Sequence, residues 1–144
     1  MTATPSILIV EDDPAIRAML LSALRREPLR VEAAADGIEA LERMRAGIFA
    51  LVIVDLMMPR MDGFTFIKEL RALRLDPRPV VFVMTAYDDA MLYRLEPGCV
   101  HAFIRKPFDL ALLVELVRDC ADAITEVDQP FLPPLGIARE DNVC

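Results

Sequence analysis

A chain of 144 residues with a formal charge of −7 fits one compact domain, able to bury roughly two-thirds of the surface its unfolded form exposes. The acidic balance, without any lysine- and arginine-rich block, argues against direct binding to DNA, and although 55% of residues are hydrophobic no apolar run approaches the ~20 residues of a membrane span. Cys99, Cys120 and Cys144 lack the CxxC pairs of a zinc site or disulfide framework and read as reduced thiols, and MTATPSILIV is no basic secretory leader, so a soluble, cytoplasmic protein is expected.

Ile7 to Val10 is a short aliphatic run, and Asp13-Pro14 then supplies a helix cap with proline at the first helical position. In that helix Ile16, Met19, Leu20, Ala23 and Leu24 recur at three- and four-residue spacing, which predicts one core-facing stripe, and Arg25, Arg26 and Pro28 mark its end. A second strand near Leu29 to Ala34 is followed by Asp36-Gly37, which opens a helix to about Ala46. A third strand, Leu51 to Val54, precedes a helix from about Phe64 to Leu73, with Pro59 shaping the intervening loop and Asp62-Gly63 acting as turn and helix start. Strands at Val80 to Met84 and Ala102 to Arg105 are each followed by a helix, the last running from about Asp109 to Ile124. Its stripe is Leu110, Leu113, Val114, Val117, Ala121 and Ile124; Leu112 and Leu116 fall off it and suit either a wide core face or an exposed dimer surface.

These five βα units, with continuous aliphatic strands alternating with amphipathic helices, predict a doubly wound α/β fold: a five-stranded parallel sheet flanked by five helices. After Thr125 the composition changes to VDQPFLPPLGIAREDNVC, where Pro130, Pro133 and Pro134 forbid a continued helix. Residues 1–125 are therefore read as one domain and 126–144 as a proline-rich tail. That tail is too short for a DNA-binding or enzymatic output domain, and its Phe131, Leu132, Leu135 and Ile137 are candidates to pack on the domain or on a partner.

In an open parallel sheet, ligands bind where the carboxyl ends of the strands splay apart. The first strand ends in Glu11, Asp12 and Asp13, the third in Asp55, the fourth in Thr85 and the fifth in Lys106. Carboxylates gathered on one rim repel one another unless a cation neutralises them, and their oxygens suit a hard ion such as Mg2+, for which Mn2+ should substitute. Lys106 can neutralise phosphoryl oxygens and Thr85 can donate to one. Phosphoryl transfer needs mainly positioning and charge neutralisation, so Asp55 is the candidate nucleophile. Asp13 is read as a helix cap rather than a ligand. His101, the single histidine, is read as a surface residue with no catalytic part.

Through ILIVEDD, VDLMMPRMDG, VFVMTA and AFIRKPF, in that order and spacing from about Ser6 to Thr125, the chain resembles the receiver domain of bacterial two-component response regulators, of the CheY-like type. The resemblance implies strand order 2-1-3-4-5 and a phosphorylation-dependent switch, not a turnover enzyme. Asp55 would accept a phosphoryl group from a phosphohistidine of a sensor histidine kinase or phosphotransfer protein. Glu11, Asp12, Asp55 and the backbone carbonyl of Met57 would hold Mg2+, with Glu11 acting mostly through water. Thr85 and Lys106 match the switch hydroxyl and the phosphate-pairing lysine, Phe103 the aromatic that turns inward, and Lys106-Pro107 a bond that is usually cis in the family. The output would be altered binding of a downstream protein, with a homodimer through the fourth helix, fifth strand and fifth helix left open.

Two departures stand out. Pro97-Gly98-Cys99-Val100 replaces the usual Ala-Gly-Ala before the fifth strand, which puts partner recognition there in question. Met57 and Tyr87, two residues beyond Asp55 and Thr85, are bulky where the family tunes water access, and predict slow loss of the phosphoryl group. A phosphohydrolase of the haloacid dehalogenase type also uses a strand-end aspartate but needs an acid two residues later, where Met57 stands. A docking module that has lost phosphorylation is the other alternative, and the intact Asp12, Asp55, Thr85 and Lys106 argue against it.

Overall fold

The structure is a computed structural model, and it describes residues 4–86, 95, 98 and 100–126, excluding the side chains of the last two. In chain order the elements are β1 (Ser6–Val10), α1 (Pro14–Leu24), β2 (Arg30–Ala34), α2 (Gly37–Ala46), β3 (Leu51–Asp55), α3 (Gly63–Ala72), β4 (Val80–Thr85), β5 (Ala102–Arg105) and α4 (Leu110–Glu126). All four strand pairings are parallel, and the sheet runs β2-β1-β3-β4-β5, as the resemblance implied. The expected helix between β4 and β5 falls outside the described residues, as do the tail, Tyr87, Pro97 and Cys99. The element called α4 is thus the fifth helix of the sequence reading.

Alternation along the strands divides the apolar side chains between two layers. Leu8, Val10, Val52, Val54, Val81, Val83 and Phe103 pack with Ala40, Leu41 and Met44 of α2 and Phe66, Ile67 and Leu70 of α3. Ile7, Ile9, Leu51, Ile53, Phe82, Met84 and Ile104 pack with Leu20 and Leu24 of α1 and Leu113, Val117 and Cys120 of α4. With both faces covered, β3 and β4 have no exposed residue, which is why they read as unbroken aliphatic runs.

The helix starts follow their cap residues. Asp13 accepts from the N–H groups of Ala15 (2.8 Å) and Ile16 (3.3 Å), Asp36 from Glu39 (3.0 Å) and Asp62 from Thr65 (2.8 Å). Asp109 does the same for Leu112 at 3.2 Å. In α2 the cap is reciprocal, because Glu39 Oε1 accepts the Ala35 N–H at 2.7 Å. Among the described residues no helix is long and apolar enough to cross a membrane.

Met19 and His101 depart from the sequence reading, and the two alternatives left for Leu112 and Leu116 divide between them. Met19 is 40% exposed rather than part of the α1 stripe, which is completed instead by the partly buried Leu21. On α4, Leu112 is 56% exposed, whereas Leu116 packs partly against the core. His101 is half-buried and structural: its N–H donates to the Val81 carbonyl (2.8 Å), and its Nδ1 accepts the Val81 N–H (3.1 Å). The imidazole thereby supplies β4 with an acceptor just before β5 begins.

Burial pushes the His101 pKa below its ordinary 6.5, and a proton added at Nδ1 would face the Val81 N–H. Its folded value lies below its unfolded one, so the stability it contributes is present above pH 6.5 and is lost as the pH falls. The single imidazole signal followed by NMR should therefore titrate below 6.5 in the folded protein; a midpoint at or above that value contradicts the assignment.

Candidate functional site

Counting by two along the strands shows why the ionic groups meet. Ile7 and Ile9 of β1, Leu51 and Ile53 of β3, and Ala102 and Ile104 of β5 all face the α1/α4 layer. Glu11, Asp55 and Lys106 are the next members of those three series, so they emerge on the same side at the carboxyl ends of the strands. Lys106 Nζ donates to Glu11 Oε1 and to Asp55 Oδ2, both at 2.8 Å. Glu11, Asp12 and Asp55 each present a carboxylate oxygen, and these atoms lie within 4.8 Å of one another.

Glu11 is fully buried and Asp55 is 3% exposed. Burial pushes the Glu11 carboxyl from its ordinary 4.5 up to about 7; the Lys106 ammonium and the Asp13 N–H (3.1 Å) oppose that rise, while Asp55 adds to it. Burial alone would lower the Lys106 pKa, but hydrogen bonds and charge from Asp55 and Glu11 outweigh it and hold the ammonium more firmly protonated than usual. Arg17, one turn into α1, directs Nη1 to the carbonyls of Glu11 (2.9 Å) and Asp12 (3.2 Å) and pins the acidic loop. Lys106 bridges two of the three clustered carboxyl groups, and an all-oxygen donor set of this kind fits a hard divalent cation.

Asp55 is gripped from both sides, since its Oδ1 accepts the Met57 N–H at 2.9 Å while Oδ2 faces Lys106. The Met57 side chain is 50% exposed at the rim. Beyond it the chain turns back tightly. A Cβ at Gly63 would lie 2.6 Å from both the Asp55 carbonyl and the Leu56 Cα, so only glycine lets α3 start against the end of β3.

The other expected residues are close by. Thr85 is 1% exposed at the end of β4, adjacent to β3, and its carbonyl accepts the Lys106 N–H at 2.9 Å. It continues the series Val81, Val83 and so belongs to the α2/α3 side of the sheet, opposite to Asp55. Phe103 pairs in register with Val83, is buried, and lies on that same side. Lys106-Pro107 is cis.

Two contributors were missed in the sequence. Arg17 carries a weak signal, an arginine at the fourth helical position able to reach back over the acidic loop. Arg60 carries none: it adopts φ 63°, unusual outside glycine, and its Nε donates to Asp36 Oδ2 at 2.8 Å across 24 residues of sequence. Although burial opposes it, the Glu39 N–H and the Arg60 guanidinium hold the Asp36 carboxyl below its ordinary 3.8.

A parallel sheet in this order, with a lysine-bridged acidic rim at its strand tips, defines the CheY-like class of α/β domain. The chain belongs to the response regulator receiver domain family, whose profile matches residues 7–118, and is a receiver domain of the two-component and phosphorelay type. The family is one of phosphoacceptor domains rather than of enzymes that turn over a substrate. The chain is 35% identical over 121 residues to the sensor kinase CckA of Brucella abortus, covering 83% of this chain and 13% of that protein. It is 35% identical over 117 residues to the response regulator Rre1 of Synechocystis, covering 79% of this chain and 50% of that protein. It therefore spans half or less of these curated relatives. Among solved structures, the response regulator TrrA of Thermotoga maritima, in complex with Mg2+ and BeF, is 29% identical with a TM-score of 0.66 over 81% of this chain and 99% of that one.

The Glu11 carboxyl lies higher in the folded than in the unfolded chain, so folding takes up a proton between pH 4.5 and about 7, and the group costs stability as the pH rises through that window. In magnesium-free buffer, Glu11→Gln should gain on the wild type by up to about 3 kcal/mol across the window. Urea unfolding of the two proteins at its two ends measures this, and a pH-independent difference contradicts it.

Proposed function

We propose that this domain is a phosphorylation-dependent switch in which Asp55 accepts a phosphoryl group from a phosphohistidine of a separate sensor histidine kinase or phosphotransfer protein. The observation that carries the reading is the meeting of Glu11, Asp12, Asp55 and the Lys106 ammonium at one rim. A carboxylate oxygen of Asp55 attacks phosphorus, the P–N bond to the donor imidazole breaks, and the bonding pair stays with the imidazole nitrogen. Lys106 supplies positive charge beside the reacting oxygens, and the Met57 N–H fixes the rotamer from which Asp55 reacts.

Glu11, Asp12, Asp55 and the Met57 carbonyl are the groups that would hold Mg2+, with Mn2+ a substitute. When bound, the ion offsets the charge of the carboxylates and of the incoming phosphoryl oxygens. Autophosphorylation from small donors and autodephosphorylation are the only reactions assigned. Met57 at the rim, with Tyr87, supports slow hydrolysis of the acyl phosphate.

The phosphoryl group converts one carboxylate into a dianion that Lys106 and the Thr85 hydroxyl can grip. A shift of Thr85 toward it vacates space on the α2/α3 side of the sheet, where Phe103 stands on the neighbouring strand and can follow inward. The readout is a change of protein partner on the surface around β5 and α4, with homodimerisation one form it can take. Residues 1–125 form the switching unit, 126–144 are a tail outside it, the protein works in the cytoplasm, and the acidic charge keeps it off DNA.

Acetyl phosphate with Mg2+ should add the mass of one phosphoryl group to the intact wild-type protein and none to Asp55→Asn. Mn2+ should support the same gain and a chelator should abolish it. Uptake by Asp55→Asn, or none by the wild type, overturns the assignment; a phosphoaspartate that decays within seconds contradicts the hydrolysis reading alone.

A further inference from the structure

The segment between β3 and α3 carries the Met57 amide that holds Asp55, yet the hydrogen bonds that define its shape lie further along. Met61 N–H donates to the Pro59 carbonyl at 2.6 Å, closing a three-residue turn with Arg60 at its centre. At φ 63° this is the strained hand of such a turn, and a non-glycine residue holds it only where its surroundings enforce it. The enforcement is visible. Arg60 Nε and Nη2 both engage Asp36 Oδ2, while Asp36 Oδ1 caps α2 through the Glu39 N–H. Asp36 is 6% exposed, so its free carboxylate would be costly without the guanidinium. Met61 also lies against the start of α2, since a Cβ on Gly37 would sit 2.9 Å from Met61 Cγ.

We infer that Arg60 is a positioning residue: by hooking the buried Asp36 it ties the loop after the phosphoacceptor to the amino end of α2 and so fixes the Met57 N–H on Asp55 Oδ1. The inference rests on the reading of Asp55 as phosphoacceptor for its functional consequence, but not for its geometry. Arg60 touches neither Asp55 nor any reacting atom in this scheme; it acts through the loop. The clamp also gives α2 a stake in the site, because the same aspartate that starts the helix anchors the loop.

Amide hydrogen exchange without metal or phosphodonor tests the clamp directly. Arg60→Ala should speed exchange of the Met57 N–H about tenfold while leaving the central-strand amide of Ile53 at its wild-type rate. A general loss of stability would instead move both. Arg60→Gly, which accepts positive φ without strain, should loosen Met57 to the same extent and so separate the clamp from the strain. Asp36→Asn keeps a capping oxygen but loses the anion and should match Arg60→Ala, with the double variant no worse than either single one. With acetyl phosphate and Mg2+, each variant should be phosphorylated about fivefold more slowly than the wild type, and Arg60→Lys should recover part of the loss. Wild-type Met57 exchange in Arg60→Ala, or additive effects at positions 36 and 60, overturns the clamp. Lack of phosphorylation in the wild type overturns the phosphoacceptor reading instead, and the exchange data still decide the clamp.

Discussion

One ammonium group organises the carboxyl end of this sheet. Lys106 arrives from β5 and bridges carboxylates at the ends of β1 and β3, all three side chains being largely shielded from water. Removing the ammonium from such a buried set typically costs ~3–5 kcal/mol, because the carboxylates lose their compensation. The lysine is also a spacer, standing between two acids that would otherwise repel and holding the Asp55 carboxyl in place. The strand order places β1 and β3 side by side at the centre, so Glu11 and Asp55 are neighbours by topology, and only Lys106 has to reach from the edge.

Much of this arrangement is legible in the sequence because it is repetitive. Four of the five strand runs end in a polar residue and so announce tips that carry chemistry, and period-two alternation then dictates the face on which Glu11, Asp55 and Lys106 emerge. Caps at Asp13, Asp36 and Asp62 are similarly local, since a short acid before a helix has an immediate backbone donor to satisfy. Interactions that couple distant segments are not periodic. The Arg60 hook on Asp36 spans 24 residues and depends on a backbone angle that arginine seldom adopts, and the His101 contact with β4 depends on strand register rather than composition. Met19 was misplaced because helix spacing defines a stripe but not its exact width.

The loop after Asp55 shows how a small site acquires rigidity without a large enclosure. Gly63 brings α3 hard against the end of β3, the Met61 turn folds the chain back, and the Asp36 anchor fastens it to the next helix over. Each device restricts local conformational freedom near Asp55, and together they leave its carboxylate little choice of rotamer.

Among the described residues, the sheet divides the apolar interior into two chambers that share no side chains. By strand alternation Asp55 and Lys106 continue the series of one chamber, while Thr85 continues that of the other, where Phe103 packs. On the function proposed above, the sheet therefore separates chemistry from readout everywhere except at the strand tips. Sequence drift in the packing of α1 against α4 can proceed without retuning the aromatic side, and substitutions in opposite chambers combine as independent increments of stability.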